Sequence, residues 1–418
     1  MKPLIEEYQS THHNVTIQYE KRSPNQYRET LLSRLQEGVG PDIFRYHNTW
    51  VPVLKNSSTD ELAEVPTTVY TKDEFTSTFY PSVTSDLAIS GKYYGVPLMT
   101  EGLALVYNDD LFKAAGLSGP PATWTDVRQT YVPKLTQYDK DGKIAVAGIA
   151  LGTSGNVDNF SDILGLLMLQ NNVKMIDGGA VTFHKSISAD GRNLGADALD
   201  FYTLFAKKSF SDKGAAWDDS LPPSTQAFAT GRVAMVIVPS FRIFDILDLM
   251  TAGNKTFNFR VATVPQALPV GQAQPTYWAS YWVEGVAKRS KYQAEAWDFL
   301  KFLSSKDSVR KLYTEQAKTR PFGEIPARLD VADALSADRY VAPYLESAKS
   351  AKSWYLASGT YDKGIDDGII AYFADAVNSV LKGTTSVEAL TTAAKGASQV
   401  LARYGLVQTS VALAGFPQ

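Results

Sequence analysis

Apolar positions along this chain recur with two spacings, three to four residues apart or every second residue, and the change from one to the other marks out the elements. Pro3 to Gln9 reads as a helix, Val15-Thr16-Ile17-Gln18-Tyr19 as a short alternating strand, and Asn25 to Glu37 as a helix ended by Gly38 and Gly40. Pro41 to Tyr46 follows as a strand. Gly91 to Pro97 is a turn leading into a strand, and Leu103 to Tyr107 is an apolar run of the length of one buried strand. Pro120-Pro121 stops what precedes, and Thr123-Trp124-Thr125-Asp126 opens a helix with a hydroxyl cap and an acid three residues on. Ala227 to Val238 is a helix end, a glycine stop at Gly231 and a buried strand; Ala294 to Ser304 and Ile365 to Leu381 are amphipathic helices. Asp139-Lys140-Asp141-Gly142 lacks the remaining ligands of a calcium loop and reads as a plain turn. Strands alternating with helices predict α/β layers around mainly parallel sheets, and no internal repeat is present.

Composition narrows the function. At 418 residues the chain exceeds one ordinary core, and two domains are expected. A net charge of −3 gives no footprint for nucleic acid or an anionic membrane. The absence of cysteine removes disulfides, thiolate catalysis and cysteine metal sites. No phosphate-binding loop, dinucleotide fingerprint, zinc-protease helix or nucleophile elbow occurs, and the adjacent His12 and His13 do not share a helix face. These absences lead to an expectation of no catalytic centre, no metal and no cofactor. The opening Met1 to Glu7 lacks the apolar region of an export signal.

From Gly38-Val39-Gly40-Pro41-Asp42-Ile43-Phe44 onward the chain resembles the family 1 extracellular solute-binding proteins of sugar ABC importers, relatives of maltose-binding protein. The resemblance continues in order through Gly91-Lys92, Tyr94-Gly95-Val96-Pro97, Val106-Tyr107-Asn108, Asp110-Leu111-Phe112, Thr123-Trp124, Ala227-Phe228, Gly231, Ala234-Met235, Glu284-Gly285-Val286-Ala287 and Ala296-Trp297-Asp298-Phe299-Leu300. It implies the α/β fold of a type 2 periplasmic binding protein, with two lobes, each a mixed sheet flanked by helices, and a ligand cleft between them. The lobes are expected at 1–106 with 265–315 and at 107–264 with 316–406, leaving 407–418 as an extension. It further implies a carbohydrate ligand, a membrane permease as partner, a monomer, no nucleic acid and an extracytoplasmic location. The family's first strand has no counterpart before Lys2, so Val411 to Ala414 becomes a candidate replacement, pairing with Val15 to Tyr19 or Ile43 to Tyr46.

A sugar offers apolar C–H faces and a rim of hydroxyls, so its site needs aromatic platforms and planar groups that donate and accept. Tyr46, His47, Asn48 and Trp50 follow a strand where the resemblance places a polar contact and an aromatic; Trp50 otherwise reads as packed core. Glu101 is a hydroxyl acceptor or a surface acid. Asn159 and Asp162 line the cleft or cap the apolar helix behind them. Phe241 is a platform with Arg242 a donor beside it. Strand alternation through Tyr277 to Trp282 puts Trp278 and Trp282 on one face, Tyr277 and Tyr281 on the other, with only one face reaching ligand. Trp354 lines the cleft or packs between lobes. Two rival readings remain, a binding protein for a non-sugar solute and a carbohydrate-active enzyme using Glu101, Asp162, Glu284 and Asp362 as its acids.

Overall fold

The computed structural model describes residues 1–56, 59–269 and 271–408. The predicted helices form as Lys2–Thr11, Tyr27–Gln36, Gln293–Leu303 and Ile365–Leu381. Lys2–Thr11 buries Leu4 and Tyr8, four residues apart, against Gln293–Leu303, where the Tyr8 hydroxyl donates to Asp298 at 2.7 Å. Thr123 accepts from the Asp126 N–H while Asp126 accepts from the Thr123 N–H, completing the predicted capping box. Gly231, at φ +75°, takes the left-handed turn between the Ser224–Ala229 helix and the Met235–Val238 strand. At the Asp139 turn the carboxylate accepts from the N–H groups of Asp141 and Lys143.

The main ladders are antiparallel, which corrects the expectation of mainly parallel sheets. Ile43–His47 pairs antiparallel with Trp282–Val286, placing Arg45 opposite Glu284. In the second sheet Ala104–Asn108 lies between Phe259–Thr263 and Met235–Val238, both antiparallel to it. Tyr277–Trp278 runs parallel to Ala351–Lys352. The central strands are buried on both faces and therefore read as continuous apolar runs, the pattern of a parallel strand, so hydropathy alone gave the wrong direction.

Val15 to Tyr19 forms no strand. Its extended backbone is held locally, by Val15 N–H to the His12 carbonyl at 2.9 Å and Ile17 N–H to Gln9 Oε1 at 2.7 Å. Alternation over five residues cannot produce a ladder without a partner edge. Val411–Ala414, expected to pair with this segment or with Ile43 to Tyr46, lie outside the described residues.

The chain passes from the first sheet region to the second through three neighbouring segments. Val96 bridges to Glu284 in the first sheet, and by Ala104 the chain is in the second. Phe259–Thr263 leaves the second sheet, and Trp282 enters the first; a third passage, through Ile325, joins Lys306–Ala317, packed on Lys2–Thr11, to Ala342–Ala348, packed on Phe259–Thr263. The segments bond to one another: Gly102 bridges Ala279, Ser280 N–H donates to the Glu101 carbonyl at 3.0 Å, and Thr100 N–H donates to the Ile325 carbonyl at 2.8 Å. Three crossings bonded side by side are a geometry on which two bodies can pivot. Among the described residues no helix is long and apolar enough to cross a membrane.

Candidate functional site

The site grows from the end of the Ile43–His47 strand, where the chain turns into a single helical turn, Asn48–Trp50. Tyr46 points into the core on the opposite face from its neighbours, its hydroxyl donating to the Tyr94 carbonyl at 3.1 Å. His47 points the other way, with Nδ1 2.8 Å from Thr49 Oγ1 and Nε2 3.1 Å from Ser280 Oγ. Burial holds its imidazole down at about 3, so the ring is neutral at ordinary pH. Asn48 donates to Asp86 at 3.0 Å and accepts from the Tyr281 N–H at 3.2 Å, and the Tyr281 hydroxyl also donates to Asp86, at 2.9 Å. Trp50 is fully buried and meets Trp282 edge to face at 5.3 Å between ring centroids, while His47 meets the same indole at 5.4 Å.

A stretch from the other half of the chain, Trp354 to Asp366, closes over this turn. Thr49 Oγ1 is hydrogen-bonded to Asp366 Oδ2, and Arg28 Nε donates to the Asp362 carbonyl at 2.7 Å. Burial pushes the Asp366 carboxyl well up, with Asp362 adding to the effect. Asp162 accepts from Trp278 Nε1 at 2.9 Å and from the Ser358 N–H at 3.1 Å, and burial pushes its carboxyl up to about 6. Asn159 donates to Ser358 Oγ at 2.8 Å. The helix Phe160–Gln170 carries no side-chain cap from Asn159, so that residue is directed to Ser358 and not to capping. Trp354 stands between Phe183 and Phe373, at 5.9 and 6.3 Å.

Tyr277 to Trp282 is not one strand. The chain bends at Ala279–Tyr281 as it crosses between sheets, so Trp278 and Trp282 do not share a face, correcting the alternation expected there. Tyr277, Trp278 and Tyr281 are buried, and Trp282 alone of the four is partly open. The Trp278 ring lies over Gly165, where a Cβ would come within 2.7 Å of it. Glu101 is buried too; it accepts from the N–H groups of Gly102 and Ser240 and from Ser240 Oγ, and burial pushes its carboxyl up to about 7. Next door Phe241 is 47% exposed, and Arg242 pairs with Asp245 at 2.9 Å. Phe241 thus neighbours the cluster through Ser240, which bonds to Glu101.

Four of the expected site residues hold a buried polar atom with no partner among the described residues: Trp50 Nε1, Asn159 Oδ1, Trp354 Nε1 and Arg242 Nε. Buried polar groups are nearly always bonded, and each exception calls for a partner. Tyr281 completes the cluster with Thr49, Asp86, Ser280, Ser358 and Asp366, and these last five escaped the sequence reading. Only Asp366 left a signal, as one of three acids (Asp362, Asp366, Asp367) at the start of an apolar helix.

A family model described as bacterial extracellular solute-binding protein matches residues 3–343. A binding protein of Brucella abortus (strain 2308) is 25% identical over 400 residues, covering 90% of this chain and 90% of its own. Among solved structures, the sugar-binding protein MalE from Xanthomonas citri has a TM-score of 0.75 at 16% identity, covering 96% of this chain and 94% of its own. An ABC transporter solute-binding protein from Thermotoga lettingae, bound with alpha-D-tagatose, has a TM-score of 0.67 at 22% identity, covering 96% and 95%. The fold is therefore the two-lobed α/β architecture of periplasmic binding proteins. With a family match that spans both halves of the chain and the turn on which the site is built, the protein belongs to the bacterial extracellular solute-binding protein family.

Proposed function

We propose that this chain is the sugar-capturing subunit of an ABC importer, holding a carbohydrate between its lobes and delivering it to a membrane permease outside the cytoplasm. The observation that carries the reading is the set of unpartnered buried polar atoms on Trp50, Asn159 and Trp354, on ring and amide groups of the kind that hold a hydroxylated ring. Sugar names on the MalE and tagatose-bound structures support the same ligand class. The ligand set is His47, Asn48, Trp50, Asn159, Trp282 and Trp354, with Glu101, Asp162, Phe241, Arg242 and Trp278 around it.

Expected lobes at 1–106 with 265–315 and at 107–264 with 316–406 suit this reading, since the bonded crossings lie near their junctions. The protein acts as a monomer, takes no nucleic acid or cofactor and performs no catalysis. The acids of the enzyme reading each have structural work: Glu101 holds Ser240, Asp162 holds Trp278 and Ser358, Glu284 pairs with Arg45, and Asp362 accepts from N–H groups at the start of its helix. Sugar contacts from both lobes favour the closed form, which the importer distinguishes from the open one.

A thermal-shift screen against mono- and disaccharides tests this. A cognate sugar at a hundred times its dissociation constant adds about 2.7 kcal/mol of stability. A full panel of sugars without any shift, or turnover of chromogenic glycosides lost in Glu101→Gln, would overturn it.

A further inference from the structure

One groove is lined by none of the residues of the cluster around His47. It holds about 600 Å³, a volume within the range of small-molecule sites, and its lining runs from Trp124 to Ser209 with Ala267 added from further along the chain. Its apolar wall is Trp124, Leu167, Phe201 and Leu204. The wall is held rigid by Gln170, whose Oε1 accepts from Trp124 Nε1 and whose Nε2 donates to the carbonyls of Pro265 and Thr276.

The cations on its rim are not paired alike. Arg192 pairs with Asp190 at 2.9 Å and with Asp197 at 3.1 Å, and Lys207 pairs with Asp200 at 3.3 Å, which leaves Arg128 as the groove's cation with no carboxylate among the described residues. Gln129, beside Arg128, likewise has no hydrogen-bond partner among the described residues, and both side chains line the groove.

Backbone conformation sets this pair apart as well. Val127–Tyr131 forms a π-helical turn, in which Val132 N–H donates to the Val127 carbonyl five residues back. Pro133 has no N–H for the Gln129 carbonyl, and the widened turn accommodates that loss. Such turns are uncommon and concentrate at functional sites.

We infer that this groove is a second ligand site, separate from the interlobe cleft, for a small monoanion in which a carboxylate is carried on a six-membered ring. The carboxylate bonds to the Arg128 guanidinium and the Gln129 amide, and the ring lies along Phe201 and Leu204. Ala267 also lines the groove, and it belongs to the crossing segment that leads from Val264 to Tyr277. A ligand here therefore touches one of the three segments on which the lobes pivot.

The test is a titration of the isotope-labelled full chain, following the backbone amides of Arg128, Gln129 and Ala267 by NMR. D-Glucuronate and benzoate are the probes, one with a hydroxylated ring and one aromatic, and methyl glucoside is the neutral control. Saturable shifts at these amides with either anion, weakened roughly tenfold or more in Arg128→Gln, are expected for loss of a charge-assisted hydrogen bond. The same shifts in Trp354→Ala place the ligand outside the cleft. Shifts that never saturate with either anion, an Arg128→Gln variant that titrates like the wild type, or equal affinity for methyl glucoside would overturn the inference.

Discussion

The interlobe cluster and the outer groove differ in how they treat polar side chains. In the cluster His47, Asn48, Thr49, Glu101, Asp162 and Asp366 are all buried, and a cavity of only about 10 Å³ lies beside Glu101 and Trp278. The groove holds about 600 Å³, yet Arg128 and Gln129 on its rim are exposed. Open volume and functional chemistry are therefore separate signals. Desolvated polar groups are costly to keep, so their concentration in the cluster supports the proposed sugar site, whereas the groove rests on Arg128, which has no carboxylate partner among the described residues.

Four experiments break or sharpen this contrast. Trp278→Ala removes a fully buried ring from over Gly165 and leaves Asp162 without its indole donor, and should cost about 3 to 5 kcal/mol in chemical denaturation. A loss below about 1 kcal/mol would mean that the cluster is loosely packed.

The second concerns pH. Burial holds Glu101 at about 7 against an ordinary 4.5, so the folded protein binds that proton more tightly than the unfolded chain. This contribution is fully present below 4.5 and is lost as pH rises through about 7, on the order of 3 kcal/mol in total. His47, lowered to about 3, opposes it, its contribution being present above 6.5 and lost as pH falls toward 3. The difference between wild type and Glu101→Gln isolates the first effect. It should decline from pH 4.5 to 7, and a difference flat across that window rules the effect out.

Third, Trp354→Ala or Phe241→Ala should weaken sugar affinity by about 1 to 3 kcal/mol with the fold intact, the loss of one large apolar contact. Calorimetry on both variants decides it, and unchanged affinity removes the residue from the site. Last and smallest, Phe201→Ala in the outer groove should change sugar affinity by less than about 0.5 kcal/mol, since distant sites act additively. A larger change would join the two regions energetically.

Much of the fold was legible because it is local. Capping at Thr123, the stop at Gly231 and the periodicity of Ile365–Leu381 depend on residues within one or two turns of each other. The candidate site was legible only by residue type. His47, Asn48 and Trp50 stood out as polar and aromatic groups at a strand end, while Thr49 and Ser280 are ordinary hydroxyl residues until the fold sets them against His47.

What the sequence determined by itself was the class of molecule: two α/β lobes, no cysteine chemistry, and a chain rich in rings near strand ends. Tertiary structure alone decided strand direction, because a strand covered on both faces looks the same from either end of its neighbour. It also decided that Val15 to Tyr19 pairs with no strand among the described residues and that Trp278 and Trp282 part at the bend. Ladder partners and crossings are set by contacts between residues more than a hundred positions apart, such as Arg45 with Glu284 and Thr49 with Asp366, and no short-range pattern records them.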